Sequence, residues 1–238
     1  MKRYVIWSSV CISILLLTHL ASVKTETTRA KQTPEKITVS YPHYQAKKFD
    51  LESIPFLSDK QRNQHYKLYE GYVNKLNEIR SKFDSAQRSP GITYSEYRAL
   101  KIAETFALNG AQLHEMYFEN IIGGADSEFS ELTEDLILKS FGSAEAYLKD
   151  LRDCAACSRG WAITGYFAPE KRLYNFVLDA HNETVPVNID ILVVVDVYEH
   201  AYMIDFGIDR AQYLDLLFSA INWDVIEDRI SSMLKKYE

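Results

Sequence analysis

The chain has no excess of basic residues: 27 Lys and Arg stand against 33 Asp and Glu, a formal net charge of -6. A nucleic-acid partner is therefore not expected, because neutralising phosphates takes a basic face. Internal repeats are absent too, which excludes a solenoid or a propeller. Cysteine is scarce, with three in 238 residues. One of them, Cys11, lies in an N-terminal segment that reads as a leader, so Cys154 and Cys157 alone remain for the folded part. Nor is the chain short of apolar residues: with 47% hydrophobic and 25% charged, most of it is not disordered, and its length allows one sizeable core or two small ones. What is abundant is tyrosine, sixteen in all, so buried phenols with hydrogen-bond partners are expected.

Lys2 and Arg3 precede an apolar run from Tyr4 to about Leu17, and a polar, charged stretch follows, the layout of a secretory signal. Ala21 and Ser22 are small enough for cleavage, but a clean A-x-A is missing. Residues 1–22 thus read as a signal peptide or an uncleaved signal anchor. The protein is expected to be secreted or extracytoplasmic, tethered to a membrane in the second case, with an organellar address as the minority alternative. Residues 23–48, rich in Thr, Lys and Gln with Pro34 and Pro42, read as a flexible linker.

From Ser58, with Gln61 at the capping-box position, the spacing of Tyr69, Tyr72, Val73, Leu76 and Ile79 predicts a helix to about Phe83. "QRSPGIT" breaks it. Thr93 with Glu96 opens a second helix, whose inward stripe is Leu100, Ala103, Ala107, Gly110, His114, Tyr117 and Ile121. Short helices follow at about 130–140 and 143–157. "GWAITGYF" and "RLYNFVLDA" around "APEK" predict a β-hairpin, and the continuous apolar run of "NIDILVVVDV" a third strand buried on both faces. Asp209 with Gln212 and Asp224 with Glu227 cap two closing helices. The fold class expected is α+β: an N-terminal antiparallel helical hairpin at 49–124, then a C-terminal α/β domain at 125–238 with a three-stranded antiparallel sheet.

At the end of the third strand Asp196 is followed four residues later by His200, so both heads can point to one centre. A carboxylate with imidazoles, and no cysteine among the candidates, suits a borderline first-row cation such as iron or manganese. The plainer reading has Asp196 capping the next segment and His200 as a satisfied core histidine. His114, inward on the second helix beside Gly110 and Ala111, tips the balance, because helix pairs build metal sites from such histidines.

"LNGAQLHEMYFENI" and "DVYEHAYMIDFGIDRAQYLDLLFSAINWDVIEDR" resemble the second-helix and C-terminal signatures of the iron/manganese superoxide dismutases. "YVNKLN" at Tyr72 to Asn77 and "GWAI" at Gly160 to Ile163 are similar to two further family segments. The resemblance spans about residues 50–238. It implies one iron or manganese ion per chain, with Gly110 leaning toward manganese, superoxide as substrate, a homodimer, and His114, Asp196 and His200 as ligands. By the same resemblance Glu199 supports a ligand histidine across the dimer, Tyr72 stands at the mouth of the substrate funnel, and Trp161 lines the cavity. Counting back from Tyr72, the first-helix ligand falls on Gln64. His65 is then one residue out of place and serves only if the helix is bulged or shifted, and Gln64→His is expected to restore a ligand. The active-site glutamine of the family falls on His181 or Asn182. Leu68, Met203, Phe118 and Tyr198 stand where the family has a funnel histidine, its tyrosine partner across the dimer, and two tryptophans.

These departures leave a second reading, a catalytically degenerate dismutase fold kept as a structural or interaction subunit. A third concerns "CAAC", Cys154 to Cys157: cysteines three apart on a helix can form a redox or structural disulfide, although the strand-to-helix setting of thioredoxin-like sites is missing. "NET" at Asn182 is also a glycosylation sequon, which conflicts with a buried role for that residue.

Overall fold

The computed structural model describes residues 40–88, 93–124 and 127–237. The expected leader or anchor, 1–22, and most of the expected linker lie outside them. Among the described residues no helix is long and apolar enough to cross a membrane.

Helix α1, Asp59–Ser81, begins where the Ser58 hydroxyl accepts the Gln61 N–H. Its buried stripe is Gln61, His65, Tyr69, Val73, Leu76 and Ile79. Helix α2, Glu96–Ile121, is capped by Ser95, whose hydroxyl accepts the Arg98 N–H, rather than by Thr93. Ser95 is the residue immediately before the first helical one, from which a hydroxyl reaches the third N–H of the turn. The two helices run antiparallel: His65 meets Phe118, Tyr72 meets His114, and Arg80 pairs with Glu104. Residues 40–48, the end of the stretch expected to be a linker, lie along this hairpin. The Tyr44 N–H donates to Asn77 Oδ1, Asn77 Nδ2 donates to the Tyr44 carbonyl, and the Lys47 N–H donates to the Tyr69 hydroxyl.

The second half contains α3 (Glu131–Phe141), α4 (Ala144–Cys157), β1 (Trp161–Phe167), β2 (Arg172–Leu178), β3 (Asp190–Asp196), α5 (Glu199–Phe206), α6 (Arg210–Ser219) and α7 (Trp223–Leu234). The strands form the expected antiparallel sheet in the order β2-β1-β3. Leu192 to Val195 of β3 are buried as the apolar run required, with α2 and α7 packed against the strand. Helix α6 is capped by Asp209 as expected. Helix α7 starts two residues earlier than Asp224 with Glu227 suggested, because Asn222 accepts the Val225 N–H. One apolar core joins Tyr69 and Phe118 of the hairpin to Trp161, the β3 valines, Tyr213 and Trp223. The sheet register sets Trp161 directly opposite both Leu178 and Asp196. That row delivers an indole and a carboxylate to the sheet end that faces the hairpin.

Candidate metal centre

Four side chains from four elements converge: His65 of α1, His114 of α2, Asp196 at the end of β3 and His200 in the first turn of α5. Their donor atoms all lie within 4.8 Å of one another. Asp196 Oδ2 stands 3.1 Å from His65 Nε2, 3.2 Å from His200 Nε2 and 3.7 Å from His114 Nε2, and the last two nitrogens are 3.4 Å apart. The side chains of His65, His114 and Asp196 have no exposure, whereas His200 keeps 28%.

Each group is oriented by a nameable contact. His114 Nδ1 lies 2.6 Å from the Gly110 carbonyl. A carbonyl only accepts, so Nδ1 carries the hydrogen and Nε2 offers its lone pair to the centre. Asp196 Oδ1 accepts the Tyr198 N–H, which leaves Oδ2 facing the imidazoles. The Asp196 carbonyl accepts the Tyr213 hydroxyl, so the Tyr117 hydroxyl, 3.1 Å away, donates to Tyr213. The His65 ring is held by the rings of Tyr117 and Phe118, both at 5.0 Å, and its Nδ1 has no hydrogen-bond partner among the described residues. Gln61, fully buried one turn before His65, clamps α5: its Nε2 donates to the His200 carbonyl and its Oε1 accepts the Ile204 N–H. Ser58 adds a second tie through Asp205.

Burial alone would push the Asp196 carboxyl up, but the imidazoles of His200 and His65 outweigh it and hold the group below the usual carboxylate range. Burial pushes His65 down despite Asp196, and burial together with His65 pushes His114 well down. The set near neutral pH therefore has one anionic oxygen and uncharged imidazoles on His65 and His114. These are the protonation states a cation needs. First-row ions bind imidazole nitrogen at about 2.1 Å, so neighbouring donors around one ion sit roughly 3.0–3.6 Å apart. The three separations from Asp196 Oδ2, 3.1 to 3.7 Å, and the 3.4 Å between His114 and His200 match that spacing, and all four donors lie within 4.8 Å of one another.

A second layer runs Trp161, His181, Tyr72. Trp161 Nε1 donates to His181 Nδ1 at 2.9 Å, and His181 Nε2 lies 2.7 Å from the Tyr72 hydroxyl. An indole N–H can only donate, so His181 Nδ1 is the acceptor and Nε2 bears the hydrogen. Burial pushes His181 down to about 4, which keeps the ring in that neutral form. His181 therefore donates to the Tyr72 oxygen, and the Tyr72 hydrogen is free to point elsewhere. Burial, with Tyr198 and Asp196 nearby, pushes Tyr72 up to about 12. Gly110 makes room for its ring, since a Cβ there would stand 2.8 Å from Tyr72 Cδ1. Tyr198 stacks on His200 at 5.1 Å.

The C-terminal domain model of the iron/manganese superoxide dismutases matches residues 130–229. The chain is 40% identical over 192 residues to the iron superoxide dismutase of Aquifex aeolicus, covering 79% of this chain and 90% of that one. The chain belongs to the iron/manganese superoxide dismutase family. It is also 31% identical over 174 residues to the iron superoxide dismutase of Pyrobaculum aerophilum, covering 71% and 82% of the two chains. With superoxide dismutase [Mn] 1 of Halobacterium salinarum it shares 27% identity over 192 residues, covering 80% and 95%.

Against the family pattern the structure makes one correction. Gln64 is exposed, and His65 reaches the centre from a helix that is α-helical from Asp59 to Ser81, without a bulge. Seven residues separate His65 from Tyr72, a rotation that returns to within about 20° of the same face, whereas an eight-residue count lands about 80° away. Between the two candidates for the glutamine position, His181 makes the inward contacts, and Asn182 lines a surface cavity with Tyr72 and Leu68. Glu199 is exposed on the rim of another cavity, with Tyr198, His200, Arg159 and Arg210. Met203 is 40% exposed. The role of Gln61 was not read from the sequence beyond its capping position. Its place four residues before His65 on the buried stripe was the available signal.

Proposed function

We propose that this protein is a superoxide dismutase holding one iron or manganese ion per chain through His65, His114, Asp196 and His200. The observation that carries it is the convergence of three imidazoles and one carboxylate, with Asp196 held anionic and His65 and His114 held neutral, beside a tyrosine whose proton is free. Either ion, when bound, supplies a one-electron couple that oxidises one superoxide to oxygen and reduces the next, which leaves as hydrogen peroxide after taking two protons. The chain's own residues do the rest. Tyr72, kept neutral, presents its O–H at the end of the cavity lined by Leu68, Phe106 and Asn182. His181 holds the Tyr72 oxygen from behind and Trp161 holds His181, so the donor does not turn away. Lys75 and Lys82 on the same rim share the single Glu78, which leaves a local positive balance that favours an anionic substrate. The degenerate-fold reading loses its main support, because the ligand that seemed missing is His65.

Two further features belong to the same proposal. The exposed face of α5, with Glu199 beside His200, is where a second copy binds, the Glu199 carboxylate reaching the His200 ring of the other chain. The leader pattern supports an extracytoplasmic address, by secretion or by a membrane tether.

The test combines metal analysis of the purified protein with a superoxide assay. Near one iron or manganese per chain, activity that tracks metal content, and loss of both in Asp196→Ala are expected. A protein with neither metal, or a metal-loaded protein without activity, would overturn the proposal.

A further inference from the structure

Helix α4 ends on Cys154-Ala155-Ala156-Cys157, and both thiols are free. Residues three apart in an α-helix have Cα atoms about 5 Å apart, given a 1.5 Å rise and a 2.3 Å radius. A disulfide spans Cα separations of roughly 4.4–6.8 Å. The Cys157 thiol already turns back along the helix and donates to the Cys154 carbonyl at 3.4 Å. No further helical turn rests on Cys157, because Ser158 is extended at φ -69° and ψ 151°. The backbone can therefore adjust there without unravelling the element.

The two sulfurs stand in different surroundings. Cys157 is exposed and lines the surface cavity that it shares with Arg159, Tyr198, Glu199, His200 and Arg210. Cys154 is half-buried against the main core, and burial, with Asp150, the other thiol and Asp153, pushes it up to about 11. In a chain not covered by its proposed second copy, one thiol is open to a small oxidant on the side of the partly exposed His200. The other is held behind it, poor as a first attacker and within reach as a second.

We propose that Cys157 and Cys154 are a peroxide-oxidised dithiol, Cys157 attacking and Cys154 resolving. The Cys157 thiolate attacks one oxygen of hydrogen peroxide: an S–O bond forms, the O–O bond breaks, and the departing hydroxide takes a proton to become water. The Cys154 sulfur then attacks the Cys157 sulfur: the S–S bond forms, the S–O bond breaks, and the second hydroxide leaves with the Cys154 proton as water. Two thiols lose two electrons, and one peroxide gains them. The dismutase reading enters only as a local source of peroxide, so adding peroxide directly separates the two.

The sequence makes the experiment clean. Trypsin cuts after Arg152 and Arg159, so both cysteines fall in one peptide, Asp153 to Arg159, apart from Cys11. Reduced full-length protein is treated with a small excess of hydrogen peroxide, alkylated, digested and weighed. The expected product is that peptide short of two hydrogens, unlabelled, and restored by dithiothreitol. In Cys154→Ser, the sulfenic acid at Cys157 is expected to be trapped by a dimedone reagent, and in Cys157→Ser, Cys154 is expected to stay fully alkylated. Two alkylated cysteines after peroxide, Cys157 carried to sulfinic acid beside an alkylated Cys154, or only cross-linked pairs of peptides would each overturn the proposal. Loss of the dismutase proposal on metal analysis would leave these outcomes unchanged.

Discussion

One step of about 100° around α1 separates an imidazole that faces the centre from an amide that faces water. His65→Gln is therefore expected to lower metal content at least about tenfold, as a lost ligand costs no less than a lost supporting contact. Gln64→Ala and Gln64→His, both at an exposed position, should leave metal content and stability within about 0.5 kcal/mol of the parent. Metal analysis and urea denaturation of the three variants check this. A gain of activity in Gln64→His would put the ligand back on that residue. His181 gives a second prediction. Its folded pKa, about 4, lies below the ordinary 6.5, so the unfolded chain takes up the proton first and stability is lost as pH falls from about 6.5 toward 4. The loss attributable to this ring is at most roughly 3 kcal/mol, at 1.36 kcal/mol per unit. His181→Gln, which cannot be protonated, should flatten that part of the stability profile in denaturation series between pH 7 and 4. An unchanged slope would assign the acid sensitivity elsewhere. At this scale three of the four converging residues were legible in the sequence, from a strand end and a helix stripe. The fourth was obscured by counting residues instead of angles: His65, Tyr69 and Tyr72 share a face at spacings of four and seven, and that periodicity outranks an imported count.

Elements are tied to the centre by few contacts, which makes those contacts sensitive. Helix α5 carries His200 but is only eight residues long, too short to hold its own position. Gln61 supplies that position through two hydrogen bonds made without solvent. Gln61→Ala should cost on the order of 1–2 kcal/mol, since it removes two buried hydrogen bonds that join α1 to α5. It should lower metal affinity as well, although Gln61 is not a ligand. Thermal unfolding with and without added metal checks both effects, and a variant as stable as the parent would show that α5 is held by its packing and the Ser58–Asp205 tie without Gln61. The elements themselves were readable because each apolar period is strong: the stripes of α1 and α2, and the unbroken run of β3. Their starts were less so. At α2 and α7 the cap is Ser95 and Asn222, not Thr93 and Asp224, since several polar residues compete near each start and only the one immediately preceding the first turn has the reach.

For the molecule as a whole, the exposed α5 face is the proposed contact between copies. Glu199→Ala should shift the protein toward monomer in sedimentation at low micromolar concentration, with His200 more open to solvent. An equal dimer fraction in parent and variant would remove Glu199 from the interface. The sheet, the hairpin and their order along the chain were legible from pattern alone, because two long periodic helices and three strands admit few arrangements. The common core was less visible, since the contacts that build it join residues far apart in sequence and leave no local trace. The same separation has a consequence for timing. His65 and Asp196 meet across 131 residues, whereas Asp196 and His200 are four apart. During synthesis the first two imidazoles emerge long before the carboxylate, so a growing chain offers an ion only a loose grip. The full grip appears in one late event, when β3 and α5 arrive together. Loading is thereby postponed until the chain is nearly complete, and a protein cut short before β3 carries its histidines without being able to use them.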